Sequence, residues 1–310
     1  MPLDPLAEKI AAAMTAAFPD LGGAVTDAAE ARRVLAAARA PELDPVPVGR
    51  VEDRMIDGGL PVRVYRPEGA GGPRPVVVFF HGGGFVLCGL DTHDRLCRVL
   101  ARGAGAVVVS VDYRLAPEHR FPAAVDDAFA AVRWAATHAA ALGGDPARLA
   151  VAGDSAGGCL AAVTALRARD EGGPDLAFQL LVYPVTDAAR DTPSYTEYAT
   201  GGFLTSAHMR WYWEQYLADP ADGDHPHASP LRAADLSGLP PAFVLTAEVD
   251  PLRDEGEAYA ARLAEAGVRV GSRRMAGAFH GFVSLDHVLP VAAEARRAVV
   301  EALREGLAAR

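Results

Sequence analysis

Leu149-Ala-Val-Ala-Gly-Asp-Ser-Ala-Gly-Gly158 is the stretch whose reading decides the fold. Leu149 to Ala152 form a short, continuous apolar run, the pattern of a strand buried on both faces. Ala156 to Arg169 carry the composition of a helix. Between them, Gly153-Asp-Ser-Ala-Gly157 fits Gly-x-Ser-x-Gly. A chain that turns this abruptly from strand to helix forces its central residue into strained backbone geometry. Small neighbours are needed because the turn brings backbones together. The spacing therefore predicts that the Ser155 hydroxyl is presented at the C-terminal end of a strand. The free N–H groups and positive dipole of the following helix are aimed at the same point.

The same alternation extends in both directions. A strand is expected around Val62–Tyr65. Buried-strand runs follow at 76–80, 106–111, 149–152, 178–183 and 242–246, with a weaker one across 268–275. Helix-like segments separate them at 96–102, 122–142, 156–169, 259–266 and 290–309. Gly267 suits the C-terminus of the fourth. Strands alternating with helices predict an α/β fold with a mostly parallel central sheet flanked by helices. Two segments break the rhythm. Leu6, Ile10, Met14 and Phe18 recur every four residues and predict an N-terminal helix with one apolar face, followed by a loop over 40–47. Residues 186–239 hold no buried-strand run but contain Phe203, Leu204, Met209, Trp211, Tyr212, Trp213 and Tyr216, so an insertion that caps the sheet is expected there.

A serine nucleophile needs a base and an oxyanion site. His81-Gly-Gly-Gly-Phe85 directly follows the strand 76–80, and its glycines expose consecutive N–H groups. A P-loop is excluded because no Lys-Ser/Thr follows. The Ala156 N–H would complete the hole. In this architecture the acid and then the histidine follow the serine along the chain. His280, flanked by Gly277 and Gly281, is the best placed base; His208, His225 and His227 fall in the insertion, and His287 reads as a helix-side residue. For the acid, Glu248, Asp250, Asp254 and Glu255 all qualify by position. Asp250 is favoured over Glu248 only by the rigid turn that Pro251 imposes. His225-Pro-His227 lacks the further ligands of a metal site and reads as a surface loop.

Together these motifs resemble the bacterial hormone-sensitive-lipase-like esterases with a Gly-Asp-Ser-Ala-Gly elbow. His81-Gly-Gly-Gly-Phe85, Asp112-Tyr-Arg-Leu-Ala-Pro-Glu-His119 and Gly153-Asp-Ser-Ala-Gly-Gly158 carry the resemblance. Asp250-Pro-Leu-Arg-Asp254 and His280-Gly-Phe282 extend it over nearly the whole chain. It implies an α/β-hydrolase fold whose catalytic domain spans 46–185 and 226–310, capped by the N-terminal segment 1–45 and the insertion 186–225. It carries the triad onto Ser155, Asp250 and His280, and the oxyanion hole onto the N–H groups of Gly83, Gly84 and Ala156. It makes His81 and the 112–119 block supports for that loop. The activity implied is a serine carboxylesterase acting on short- to medium-chain acyl esters. Phe85, Leu87, Phe203, Leu204, Met209, Trp213 and Phe282 are the expected pocket. Cys159 departs from the family, which has Asn there, and is expected to lie buried behind the elbow.

No cofactor or metal is required by this reading. The motifs do not separate ester from amide cleavage, so an amidase, peptidase or acyltransferase stays open. A receptor that has lost its chemistry is disfavoured by the intact triad. The 310 residues carry a formal net charge of −10 and no basic run longer than a pair, which disfavours nucleic acid and anionic lipid as partners. Half the residues are hydrophobic, enough for a large core. No stretch offers the roughly 20 apolar residues of a membrane span. The N-terminus does not read as a signal peptide. Three cysteines, with no zinc or redox spacing, fit a reducing cytoplasm. The aromatic residues of the insertion could also serve a homodimer contact.

Overall fold

Val76-Val-Val-Phe-Phe80 and the neighbouring apolar runs assemble into one sheet because each can be covered on both faces. The computed structural model describes residues 3–38, 44–69 and 71–308. Among them, eight strands form the sheet: β1 (Arg50–Ile56), β2 (Leu60–Arg66), β3 (Arg74–Phe80), β4 (Val107–Val111), β5 (Gly144–Asp154), β6 (Phe178–Val182), β7 (Ala242–Val249) and β8 (Val270–Phe279). Their order is β1-β2-β4-β3-β5-β6-β7-β8. Only β2 pairs antiparallel, with β1 and with β4; β4 through β8 run parallel. The chain has the α/β-hydrolase fold.

The helices are α1 (Pro5–Ala17), α2 (Ala28–Ala37), α3 (Asp94–Ala104), α4 (Ala123–His138), α5 (Ala156–Asp170), α6 (Pro193–Glu197), α7 (Ser206–Tyr216), α8 (Arg253–Glu265) and α9 (Pro290–Ala308). Alternation along β3 divides the core. Val76, Val78 and Phe80 pack in the cluster that holds α4, α5 and α8, whereas Val77 and Phe79 pack in the cluster that holds α3 and α9. The central strands β3 and β4 are almost wholly buried, which is why they read as unbroken apolar runs.

Three elements differ from the sequence expectation. β1 is a half-exposed edge strand whose charged residues pair across it, Arg63 holding Asp53 through Nε at 2.6 Å; a strand so exposed carries no buried run. α2 was not expected; Asp27 caps it by accepting from the Glu30 N–H at 2.8 Å. In α1 the buried face is Ala7 and Ala11, while Leu6 is 44% exposed. Small residues let α1 lie close to the body, which a stripe of large residues would not. The loop expected over 40–47 falls partly outside the described residues, as does the end of the helix expected to 309; 44–48 form neither helix nor strand. From 183 to 241 there is no strand, and α6 and α7 occupy the middle of that stretch.

Candidate active site

Ser155 sits between β5 and α5 with φ 55° and ψ −120°. A side-chain-bearing residue pays a steric cost in that region, and it holds only where surroundings over-determine it. Here they do. The Ser155 N–H donates to the Val182 carbonyl at 2.9 Å, and its own carbonyl accepts from Val185 and Cys159 N–H groups, both at 3.1 Å. Gly157 is required by contact: a Cβ there would overlap the Phe80 carbonyl oxygen and lie 2.7 Å from that of His81.

The other two members arrive from the ends of β7 and β8. His280 Nε2 stands 2.9 Å from Ser155 Oγ, and its Nδ1 stands 2.7 Å from Asp250 Oδ2. The second Asp250 oxygen accepts the Leu252 N–H at 2.9 Å, and the carboxyl is fully buried. The four acids that qualified by position are thereby separated. Glu248 accepts the Gly277 N–H, Asp254 accepts the Ser194 N–H, and Glu255 accepts those of Thr186 and Asp187. Among the described residues, Asp250 is the carboxylate on His280.

The triple-glycine loop lies alongside. Gly83 has φ 110° and Gly84 φ 61°; a Cβ on Gly84 would run into the Tyr212 ring of α7. Gly83 O accepts from Val86 and Leu87, which folds the loop back. Among the described residues, the N–H groups of Gly83, Gly84 and Ala156 have no protein acceptor. His81 and the 112–119 block brace this loop: Tyr113 stacks on the His81 ring with centroids 4.3 Å apart, and its hydroxyl donates to the His81 carbonyl at 2.7 Å. From α2, Arg32 donates to the carbonyls of Val86 and Ala116 and to Glu118.

A cavity of about 760 Å³ opens over Ser155. Its apolar wall takes Met14 and Phe18 from the N-terminal segment, Leu35 from α2, and Phe203, Leu204, His208, Met209 and Tyr212 from the insertion. Gly83, Gly84, Leu87, Tyr183 and His280 complete the floor, and Arg63, Asp91 and Asp112 line a polar side. Of the expected pocket residues, Leu87, Phe203, Leu204 and Met209 line the cavity. Phe85, Trp213 and Phe282 instead lie in the core. Phe85 stacks on Tyr216 at 3.9 Å with Trp213 alongside, and Phe282 is fully buried in the other cluster. Phe85 is turned away by its positive φ of 63°.

Cys159 is buried in α5 and donates weakly to the Ala228 carbonyl at 3.4 Å; burial pushes its thiol up and keeps it protonated. His225 and His227 stand ring to ring at 4.8 Å. Among the described residues no group of three His, Cys, Asp or Glu side chains could hold a metal ion, and no helix is long and apolar enough to cross a membrane. Sequence reasoning passed over Met14, Phe18 and Leu35 as cavity wall, because nothing local tells that α1 and α2 fold back over a serine more than a hundred residues away. It also passed over His93 and assigned no role to Asp154.

The matches to known proteins agree with this geometry. The chain belongs to the α/β hydrolase fold family, whose model matches residues 77–284. Within it, the chain is a hormone-sensitive-lipase-like carboxylic-ester hydrolase. It is 50% identical over 274 residues to carboxylesterase NlhH of Mycobacterium tuberculosis, covering 86% of this chain and 85% of that one. It is 44% identical over 253 residues to ethyl acetate hydrolase of Pseudomonas putida, covering 80% and 79%. The crystal structure of a thermostable esterase from Pseudomonas putida superposes with a TM-score of 0.93 at 42% identity, over 99% of this chain and 98% of that one.

Proposed function

We propose that the protein hydrolyses short- to medium-chain acyl esters through an acyl-enzyme on Ser155. The observation that carries this is the Ser155 Oγ–His280–Asp250 alignment on a strained elbow. His280 Nε2 takes the hydroxyl proton as Oγ bonds to the ester carbonyl carbon. The N–H groups of Gly83, Gly84 and Ala156 receive the oxyanion. Asp250 holds Nδ1–H and balances the imidazolium. As the carbon–oxygen bond to the alcohol breaks, His280 returns its proton to the leaving oxygen. Water, deprotonated by the same nitrogen, then releases the acid. The cavity's volume and its apolar wall support a modest acyl chain.

In this reading residues 1–45 and 186–225 form the cap, and 46–185 with 226–310 the catalytic domain. That α1, α2 and α7 line the cavity supports it. The net charge of −10 weighs against a nucleic-acid partner, and cysteines without a disulfide fit a cytoplasmic setting. Trp211, Tyr212 and Trp213 are buried within the chain, so a homodimer would use another surface. The test is turnover of an aryl butyrate against the matched anilide, with Ser155→Ala as control and an acyl-length series. A faster anilide, or unchanged turnover in S155A, overturns the proposal.

A further inference from the structure

Two histidines stand behind the oxyanion loop, and the mechanism above uses neither as a base. His93, just before α3, is buried; its ring lies 5.6 Å from that of His81. The hydrogen bonds around each ring constrain its protons. Thr92 Oγ stands 2.8 Å from both the Gly89 carbonyl and His93 Nδ1, and its single hydrogen can serve either. His93 Nε2 faces both oxygens of Asp154, at 3.2 and 3.3 Å, and an ionised carboxylate only accepts. His93 Nε2 therefore carries hydrogen. The Gly82 N–H, 3.0 Å from Asp154 Oδ1 and 3.3 Å from His93 Nε2, goes to the carboxylate. In His81, Nδ1 donates to the Gly82 carbonyl at 2.7 Å, and among the described residues its buried Nε2 has no partner, as in a neutral ring.

These contacts converge on one residue, the N–H of Gly82 lying in the His81–Gly82 peptide and its carbonyl in the next. Asp154 holds the N–H of Gly82, and His81 holds its carbonyl. That carbonyl belongs to the Gly82–Gly83 peptide, and in a trans peptide the C=O and N–H point opposite ways. Fixing the Gly82 carbonyl thus aims the Gly83 N–H. We propose that His93 is a positioning residue, its Nε2–H held against the Asp154 carboxylate, and that this buried pair together with His81 fixes the backbone on both sides of Gly82 and so aims the Gly83 N–H toward the oxyanion. Electrostatics agree. Burial alone would raise the Asp154 carboxyl, but His93, with His81 and His280, holds the group below the usual carboxylate range. Burial, reinforced by His93, pushes His81 down to about 3. Asp154 from β5 and His81 from the end of β3 are the titratable groups facing the ring.

The proposal rests on the esterase reading for its kinetics and is independent of it for the hydrogen bond between His93 and Asp154. The test compares the full chain with His93→Ala, Asp154→Asn, the double variant and His93→Gln, on an aryl butyrate and against an aryl trifluoromethyl ketone whose adduct carries the oxyanion. Loss of one oxyanion donor typically costs about 10²–10³ in kcat; misaiming one is expected to cost about tenfold to a hundredfold. The expected pattern is a fall in kcat with KM unchanged. Ketone affinity should fall by the same factor, the double variant should be no worse than the worse single, and His93→Gln, which still donates to Asp154, should lie in between. Multiplying losses, a change in KM alone, or a drop in melting temperature without loss of kcat overturns the proposal. If His93→Ala does not fold, His93→Gln carries the kinetic arm. Nitrogen-15 spectra should show His93 Nε2 protonated and hydrogen-bonded; a bare Nε2 overturns the proposed contact with Asp154. Absent turnover in the unmodified chain would instead sink the esterase reading.

Discussion

Asp250→Asn is the sharpest perturbation of the site, because the structure dictates which way the new amide must face. One Asp250 oxygen accepts the Leu252 N–H at 2.9 Å, and the other meets His280 Nδ1 at 2.7 Å. In the variant, the amide oxygen must stay on Leu252, or two buried donors would oppose each other. The NH₂ group then faces His280, whose Nδ1 must accept. The ring proton moves to Nε2, which presents a hydrogen rather than a lone pair to Ser155 Oγ at 2.9 Å. The base is lost while the packing volume is kept. A wrong-tautomer change of this kind costs about 10⁴ in kcat, near 5.5 kcal/mol at 1.36 kcal/mol per tenfold. The assay is kcat on an aryl butyrate beside a denaturant melt. The reasoning also requires that phosphonate labelling of Ser155 slow in parallel. An Asp250→Asn protein that keeps more than about a tenth of kcat would refute the assignment of Asp250 as the residue that sets the His280 tautomer.

Other outcomes follow from packing and charge. Gly157→Ala should cost more than about 3 kcal/mol of stability or prevent folding, since its Cβ would overlap the backbone at Phe80; a urea melt within about 1 kcal/mol of the unmodified chain argues against the tight elbow. Phe203→Ala should shift the preferred acyl length upward in a chain-length series, because this ring lines the cavity and meets Phe18 edge-on at 4.8 Å; an unchanged optimum places the acyl chain elsewhere. Burial pushes Glu255 up to about 8 from an ordinary value of 4.5. Between those values the folded state holds a proton that the unfolded chain has lost, so stability falls as pH rises, at up to about 1.4 kcal/mol per pH unit. Glu255→Gln should therefore match the unmodified chain near the acid end of that window and exceed it in melting temperature above the alkaline end; a pH-independent difference counts against a buried neutral Glu255.

What could be read without a structure was whatever chemistry lies close along the chain. The elbow is legible because a strand, a strained serine, two glycines and a helix must be consecutive for the turn to exist. The buried strands are legible because β4, β6 and residues 76–80 of β3 are covered on both faces and carry no charge. The edge strand β1 was missed for the same reason in reverse: half its residues face solvent and read like a loop. By residue type and position alone Asp250 leads Glu248, two residues earlier at the end of β7, only through the turn at Pro251; the family resemblance is what carries the acid onto Asp250. The structure separates them by partner, Glu248 accepting the Gly277 N–H and Asp250 meeting His280 Nδ1.

The sequence by itself determined that Ser155 sits at a strand-to-helix turn with a glycine loop and a downstream histidine, since each is a local pattern of backbone freedom and side-chain type. Only the tertiary structure decided what surrounds that serine. Met14 and Phe18, some 140 residues upstream, wall its cavity; Phe85, Trp213 and Phe282, closer to the motifs, turn away into the core. Asp154 meets a histidine 61 residues away behind the oxyanion loop. Such contacts depend on sheet order and on which face a residue presents. Those are properties of the packed chain, so no short window of residues can carry them.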